Sequence, residues 1–463
     1  MKACLGVLAG IALLMISGCG GAGVSGANAG LTPTPTPTPT PTQASAANTW
    51  TWMAGSNLIN QPGTYGTQGV ASSQNTPGNR MNSVNWIDNS GNLWLFGGMA
   101  TPSATQDNFL NDLWEFNGSQ WIWQGGSSGF NQAGIYGTLG VAAPGNIPGA
   151  RFQAVSWKDA SGDVWLFGGL GIDANGRSEF LNDLWKFSGG QWTWMGGSNI
   201  GIQNLPGIYG TKGVAAPTNQ PGERSLATAW TDAAGNFWMF GGSGWDSAGA
   251  LGDMNDLWEF SGGQWTWISG SNLINQLGVY GVKGTAAPGN TPGARFSSSS
   301  WVDAAGDFWI FGGQTGTSSF LPINDLWKFS GGQWTWISGA DVPDQPDVFG
   351  TLGVPAADNT PGARTEANSW IDAAGSLWLF GSSDNDLWRF NAGEWTWMGG
   401  PNPPSPRGVY GTLGAPASSN IPSARFGAVN WKDASGNIWL FGGLGEDTTG
   451  TSGELNDLWR LQP

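Results

Sequence analysis

RFQAVSW (Arg151–Trp157), KDASGD (158–163), VWLFGG (164–169), NDLWKF (182–187), SGGQ (188–191) and WTW (192–194) together decide the fold. Four short aromatic runs are separated by turn residues, and the chain spells this pattern six times. The arginine that opens each unit is Arg80, Arg151, Arg224, Arg295, Arg364 or Arg425, at spacings of 71, 73, 71, 69 and 61 residues. Self-similarity at such a period marks a repeat architecture and outranks any single-segment reading. Within each run the apolar residues alternate. Trp165 and Phe167 share one face, Val164 and Leu166 the other. A period of two with aromatic and β-branched residues predicts strands. DASG and SGGQ predict tight hairpin turns between them.

The tryptophans follow the same metre. Thirty of the 31 occupy five fixed positions per unit, which in the second unit are Trp157, Trp165, Trp185, Trp192 and Trp194. Each buried indole removes roughly 150–250 Å² from water. Both faces of each small sheet are apolar, so each must be covered on both sides. Four-stranded antiparallel sheets stacked radially meet that demand. The expected fold is therefore all-β, a six-bladed β-propeller with four antiparallel strands per blade.

The last unit lacks its fourth run, because the chain stops at Pro463 soon after NDLWRL (456–461). Trp50, Thr51 and Trp52 precede the first arginine and have no unit of their own. The N-terminal strand is expected to complete the sixth blade and close the ring.

Arginine at the start of the first strand, a double glycine ending the second (Gly168, Gly169), Asn-Asp-Leu-Trp opening the third and Trp in the fourth resemble the kelch repeat. The resemblance spans residues 48–463 and implies a kelch-type propeller like the central domain of galactose oxidase. Kelch propellers include protein-binding adaptors, a copper-radical oxidase and a sialic acid epimerase, so the resemblance implies a fold and leaves function open.

Two segments precede the repeats. Residues 1–19 carry one charge, Lys2, then an apolar run from Leu5 to Ile16 and Ile16-Ser17-Gly18-Cys19. The run is too short for a lasting membrane span. It resembles the leader of bacterial lipoproteins, which implies lipidation of Cys19 and a membrane anchor. Gly20 after that cysteine resembles sorting to the outer membrane. Cys4 leaves with the leader, so no disulfide is expected. Residues 20–47 are Gly-, Ala- and Ser-rich, then alternate Thr and Pro. Such a linker favours extended polyproline II and cannot build a core. The expectation is a domain at 48–463 in the bacterial cell envelope, at the outer membrane or cell surface, held clear of the membrane.

Composition excludes several chemistries. There is no histidine, which removes Ser-His-Asp catalysis and His-ligated copper or zinc. The copper site of galactose oxidase needs histidine and does not carry over. No calcium-loop pattern occurs, and no metal or cofactor is predicted. The formal charge is −15, which argues against a nucleic-acid partner. A monomer is expected.

Candidate ligand-binding residues fall on the longer loops. Inter-unit loops have 27 residues, or 29 in the third case (195–223). Loops of that length are uncommon without a purpose. Their shared aromatic position holds Tyr65, Tyr136, Tyr209, Tyr280, Phe349 and Tyr410. It is either a stacking ring for sugars and peptide side chains or a plug pinning each loop to its sheet. The six arginines either capture an anion or pair with Asp112, Asp183, Asp256, Asp325, Asp386 and Asp457. Trp245, outside every fixed position, lies in the polar stretch SGWDSAGALGD as a candidate stacking platform or folds back over it. Further loop charges are Asp107, Asp173, Arg177, Glu179, Asp246, Asp253, Glu446 and Asp447, and Asp173 with Glu179 is one candidate acid–base pair. The fifth unit keeps only Ser383 and Asp384 between its second and third strands, predicting a notch.

The expected function is non-catalytic binding of an unidentified protein or polysaccharide through the loop-rich face. The alternative is an enzyme resembling the sialic acid epimerase, working with arginine and carboxylate.

Overall fold

The computed structural model describes residues 48–101, 108–201, 204–315, 321–402 and 405–462. The leader with Cys19, the Thr-Pro stretch and Asp107 lie outside the described residues. Among the described residues there are strands and turns and no helix, hence none long and apolar enough to cross a membrane.

In the second unit the strands are Val155–Lys158, Val164–Ile172, Ser178–Ser188 and Gln191–Gly196. They pair antiparallel in chain order, with Trp157 opposite Trp165, Leu166 opposite Trp185, and Trp185 opposite Trp194. The other units repeat this sheet. In the second, third and sixth the inner strand is interrupted, which adds a short strand at Arg151–Phe152, Arg224–Ser225 and Arg425–Phe426.

The aspartate of each first turn is there for a reason. Asp159 Oδ1 accepts from the N–H groups of Ser161 and Asp163 at 2.9 and 3.0 Å, and Oδ2 accepts from Trp165 Nε1 at 2.8 Å. One carboxylate closes the turn and fixes the indole that follows. Asp88, Asp232, Asp303, Asp372 and Asp433 do the same for Trp94, Trp238, Trp309, Trp378 and Trp439.

The core lies between sheets. Trp157 stacks on Phe237 of the next unit at 3.8 Å between ring centroids. Each of the apolar clusters joins two successive sheets. One of them joins the last sheet to the first, with Phe116 against Trp439 at 5.4 Å and Trp121 against Phe441 at 5.2 Å. The N-terminal strand Thr49–Ala54 pairs antiparallel with Leu458–Gln462, Trp50 opposite Leu461 and Trp52 opposite Trp459. Antiparallel sheets that bury both faces against neighbouring sheets make a propeller-type fold.

Candidate functional site

The arginines that open the units are buried. Arg151 Nη1 and Nη2 fork onto Asp183 Oδ1 and Oδ2 at 2.6 and 2.7 Å, and Nε donates to the Gly149 carbonyl at 3.0 Å. The same fork joins Arg80 to Asp112, Arg224 to Asp256, Arg295 to Asp325, Arg364 to Asp386 and Arg425 to Asp457. Of the two roles open to these side chains, the structure places them in the ion pair. They are not surface anion donors, because a ligand would first have to break a buried pair at a cost of about 3–5 kcal/mol.

The tyrosines join the same aspartates. Tyr136 OH donates to Asp183 Oδ2 at 2.7 Å, and Trp185 Nε1 donates to the same oxygen at 2.7 Å. Tyr65, Tyr209, Tyr280 and Tyr410 repeat the bond to their own aspartates. Burial, then the aspartate charge, raises all five phenols far above their ordinary value. Each ring also packs edge-on to a tryptophan of its outer strand or that strand's counterpart, as Tyr136 does to Trp194 at 5.4 Å. They are plugs that pin each loop to its sheet and not a stacking ring.

The long loops are likewise spent on structure. Gly140 N–H donates to the Trp194 carbonyl at 2.8 Å, and Asn146 Nδ2 donates to the Trp192 carbonyl at 3.2 Å. The loop thus lies along the open edge of the outer strand, which otherwise exposes unpaired backbone groups. Part of what remains outside is aliphatic. Ile135, Ile208, Val279, Val348 and Val409, at one repeated position, are 44–58 % exposed. Val70, Leu139, Val141, Val214, Leu352, Val354 and Leu413 on the same loops are also exposed.

Trp245 is the last residue of the strand Phe237–Trp245, opposite Leu251, and is half-buried. It belongs to a strand and not to a free loop, because the ladder runs to it and its backbone N–H donates to the Glu223 carbonyl at 3.0 Å. The loop acids Asp173, Asp246 and Asp447 are buried and accept backbone N–H groups across their own turns. Asp173 also accepts from Gly201 N–H, so it is a turn anchor and not an acid–base partner for Glu179. Glu446 pairs with the exposed Arg407 at 3.4 Å.

The fifth unit departs from this scheme. Its strands Leu377–Phe380 and Leu387–Asn391 are joined through residues 381–386, as the short link predicts. Phe349 supplies no hydroxyl, and Asp347 stands where other units have glycine (Gly134 in the second). Asp347 Oδ1 accepts from Gly362 N–H at 2.6 Å and from Arg364 Nη2 at 2.5 Å. The Phe349 ring lies at 29° to Trp388, against 45–55° for the tyrosines on their tryptophans. Arg364 therefore sits between two carboxylates, Asp386 and Asp347. Burial pushes Asp347 up to about 6, with Arg364 opposing and Asp386 and Asp384 adding. Burial and Asp386 also raise Asp384, on the short link. The sequence reading missed Asp347. The signal was present, as the paired change of Gly to Asp and Tyr to Phe within one loop.

Among the described residues, no group of three or more acidic, histidine or cysteine side chains is placed to hold a metal ion. Neither a protein-family model nor a curated protein matches the chain. Solved structures do resemble it. YjhT aligns at 15 % identity and a TM-score of 0.46, covering 83 % of this chain and 95 % of its own. A fungal alcohol oxidase of the AA5 family, in complex with copper, aligns at 12 % and 0.45, covering 90 % and 77 %. The GH93 α-L-arabinofuranosidase of Fusarium graminearum with arabinobiose aligns at 10 % and 0.45, covering 87 % and 96 %. At these identities and scores the likenesses carry no activity or substrate over to this chain.

Proposed function

We propose that this chain is a six-bladed kelch-type propeller, closed by its N-terminal strand and anchored to the bacterial envelope through Cys19. It binds a protein partner and performs no chemistry. The observation that carries this reading is the repeated set of exposed aliphatic side chains on the inter-unit loops, Ile135 and its counterparts above all. Exposed aliphatic groups gain from burial against another protein. Sugar binding calls for exposed aromatic faces, and here the tyrosines are buried or half-buried and tied to aspartates. A panel of immobilised glycans probed with the full chain separates the two. No saturable binding is expected. Saturable binding that Trp245→Ala abolishes would transfer the function to a polysaccharide.

A second reading is favoured by one observation, the Asp347 carboxylate held against Arg364 Nη2, where burial raises it to about 6. A group poised there exchanges protons near neutral pH. This is the arginine–carboxylate chemistry of an epimerase-like enzyme, sited at the notch of the fifth unit. Turnover of a sugar substrate lost in Asp347→Asn, with the fold retained, would establish it over the binding role.

A further inference from the structure

Two places after each opening arginine stand Asn82, Gln153, Leu226, Ser297, Glu366 and Gly427, all with positive φ between 51° and 60°. Left-handed backbone is costly for non-glycine residues, and here it recurs at one repeated position. It is held by hydrogen bonds between successive units. The N–H of Asn82 donates to Gly427 O at 2.7 Å, Gln153 to Asn82 O at 3.0 Å, and Leu226 to Gln153 O at 3.0 Å. Ser297 donates to Leu226 O at 3.0 Å and Glu366 to Ser297 O at 2.9 Å. These residues, with Asn368 and Asn430, line a cavity of about 200 Å³.

The backbone repeats at this belt but the side chains do not. Glu366 is the one charged residue among those lining the cavity. Its Oε1 accepts from Ser297 Oγ at 3.2 Å and from Asn82 Nδ2 at 3.3 Å, reaching past Gly427, which has no side chain to obstruct it. Its Oε2 is enclosed and unpaired, as are Gln153 Oε1 and Asn368 Nδ2. Gln153 and Asn368 are 5 % and 3 % exposed. Buried polar atoms without partners are uncommon in folded proteins, and each is a reason to look for a ligand.

We propose that this cavity binds one hard metal cation through oxygen, with Glu366 as the anionic ligand and Gln153 Oε1 and Ser297 Oγ as neutral ones. Two of the three unpaired atoms are oxygen acceptors, and the only formal charge facing the cavity is negative. Carboxylate, amide and hydroxyl oxygens are the ligand set of Ca²⁺, Na⁺ and K⁺, whereas softer metals seek nitrogen or sulfur. A cation there would tie the second and fifth units together across the belt and stabilise the assembled sheets by mass action.

The test is a titration of the chelator-stripped full chain with CaCl2, with NaCl and with KCl, choline chloride holding ionic strength constant. Calorimetry and the thermal midpoint are read for the wild type, Glu366→Gln and Gln153→Ala. One saturable site per chain, weakened at least tenfold in Glu366→Gln and measurably in Gln153→Ala, is expected for one of the three salts. Glu366→Gln keeps the side chain's size and its hydrogen-bonding oxygen, so its thermal transition also reports that the fold survives. No saturable effect in the wild type means that the cavity holds water only and overturns the proposal. Equal affinity in wild type and Glu366→Gln overturns it too.

Discussion

The side-chain amide of Asn420 donates to the backbone carbonyl of Trp50 at 3.1 Å, across 370 positions of chain. Elsewhere the equivalent asparagine makes this bond to a tryptophan 36–46 positions later, as Asn146 does to Trp192. Trp50 thus occupies the outer-strand tryptophan position of the last unit. Its ring is buried against Phe380 at 5.1 Å and Trp459 at 6.5 Å.

Deleting residues 44–53 removes most of that strand and leaves Leu458–Gln462 as an open apolar edge. No cooperative thermal transition is expected from the deleted chain. Trp50→Ala alone should lose about 3–5 kcal/mol. Denaturant unfolding followed by tryptophan fluorescence reads both. A monomeric deletion variant that unfolds like the full chain would falsify the closing role of the N-terminal strand.

The Arg151–Asp183 fork is expected to act as one unit. Arg151→Met leaves Asp183 buried with an uncompensated charge and should cost about 3–5 kcal/mol. Adding Asp183→Asn should recover part of that loss, so the two changes will not add. Strict additivity in the double-mutant cycle would show that the pair is not coupled as the geometry implies.

Asp347 gives stability a pH dependence. Its folded value of about 6 lies above the ordinary 3.8. The folded state therefore holds this proton more tightly, and the associated stability is full below about pH 4 and is lost as pH rises through 6. Asp347→Gly with Phe349→Tyr restores the pattern of the other units. At pH 8 this double variant should be more stable than the wild type by about 1–3 kcal/mol, with the gap narrowing toward pH 4. A gap that does not change with pH would contradict the assignment.

Asp253 behaves alike and stands far from the fifth unit in sequence. Burial pushes it up to about 7, with a bond to Ser243 opposing. Stability should fall between about pH 4 and 7 as this group gives up its proton. Asp253→Asn should flatten that window and gain about 2–4 kcal/mol at pH 8. Urea unfolding at pH 4.5 and pH 8 measures it. Parallel pH profiles for the two proteins would rule out this group as the source.

Much of the fold was legible because every unit repeats its strands, turns and tryptophans. The period of two in VWLFGG and the turn DASG each gave one answer, and six copies left no competing pattern. The site residues were harder to read. Arg151 and Tyr136 look alike whether they face a ligand or an aspartate, because Asp183 lies 32 and 47 positions away and only the fold brings them together. Trp245 looked like a loop residue because Gly241 and Gly242 mark the end of the second strand in sequence. In the structure both glycines take positive φ, the register shifts there and the ladder continues past them. Asp347 was visible as a departure from the repeat, but its contact with Arg364 was not. The belt of Asn82 to Gly427 was hidden altogether, since the six side chains differ and the feature they share is backbone conformation.

The most direct measurement of the binding role is photo-crosslinking on intact cells, with a photoreactive residue at position 135 or 409 and, as control, at the exposed turn residue Ser161. The account predicts a discrete protein adduct from positions 135 and 409, none from 161, and loss of the adduct when Leu139, Leu352 and Leu413 are all changed to Glu. Adducts of equal yield from all three positions, or adducts indifferent to the three glutamates, would contradict it.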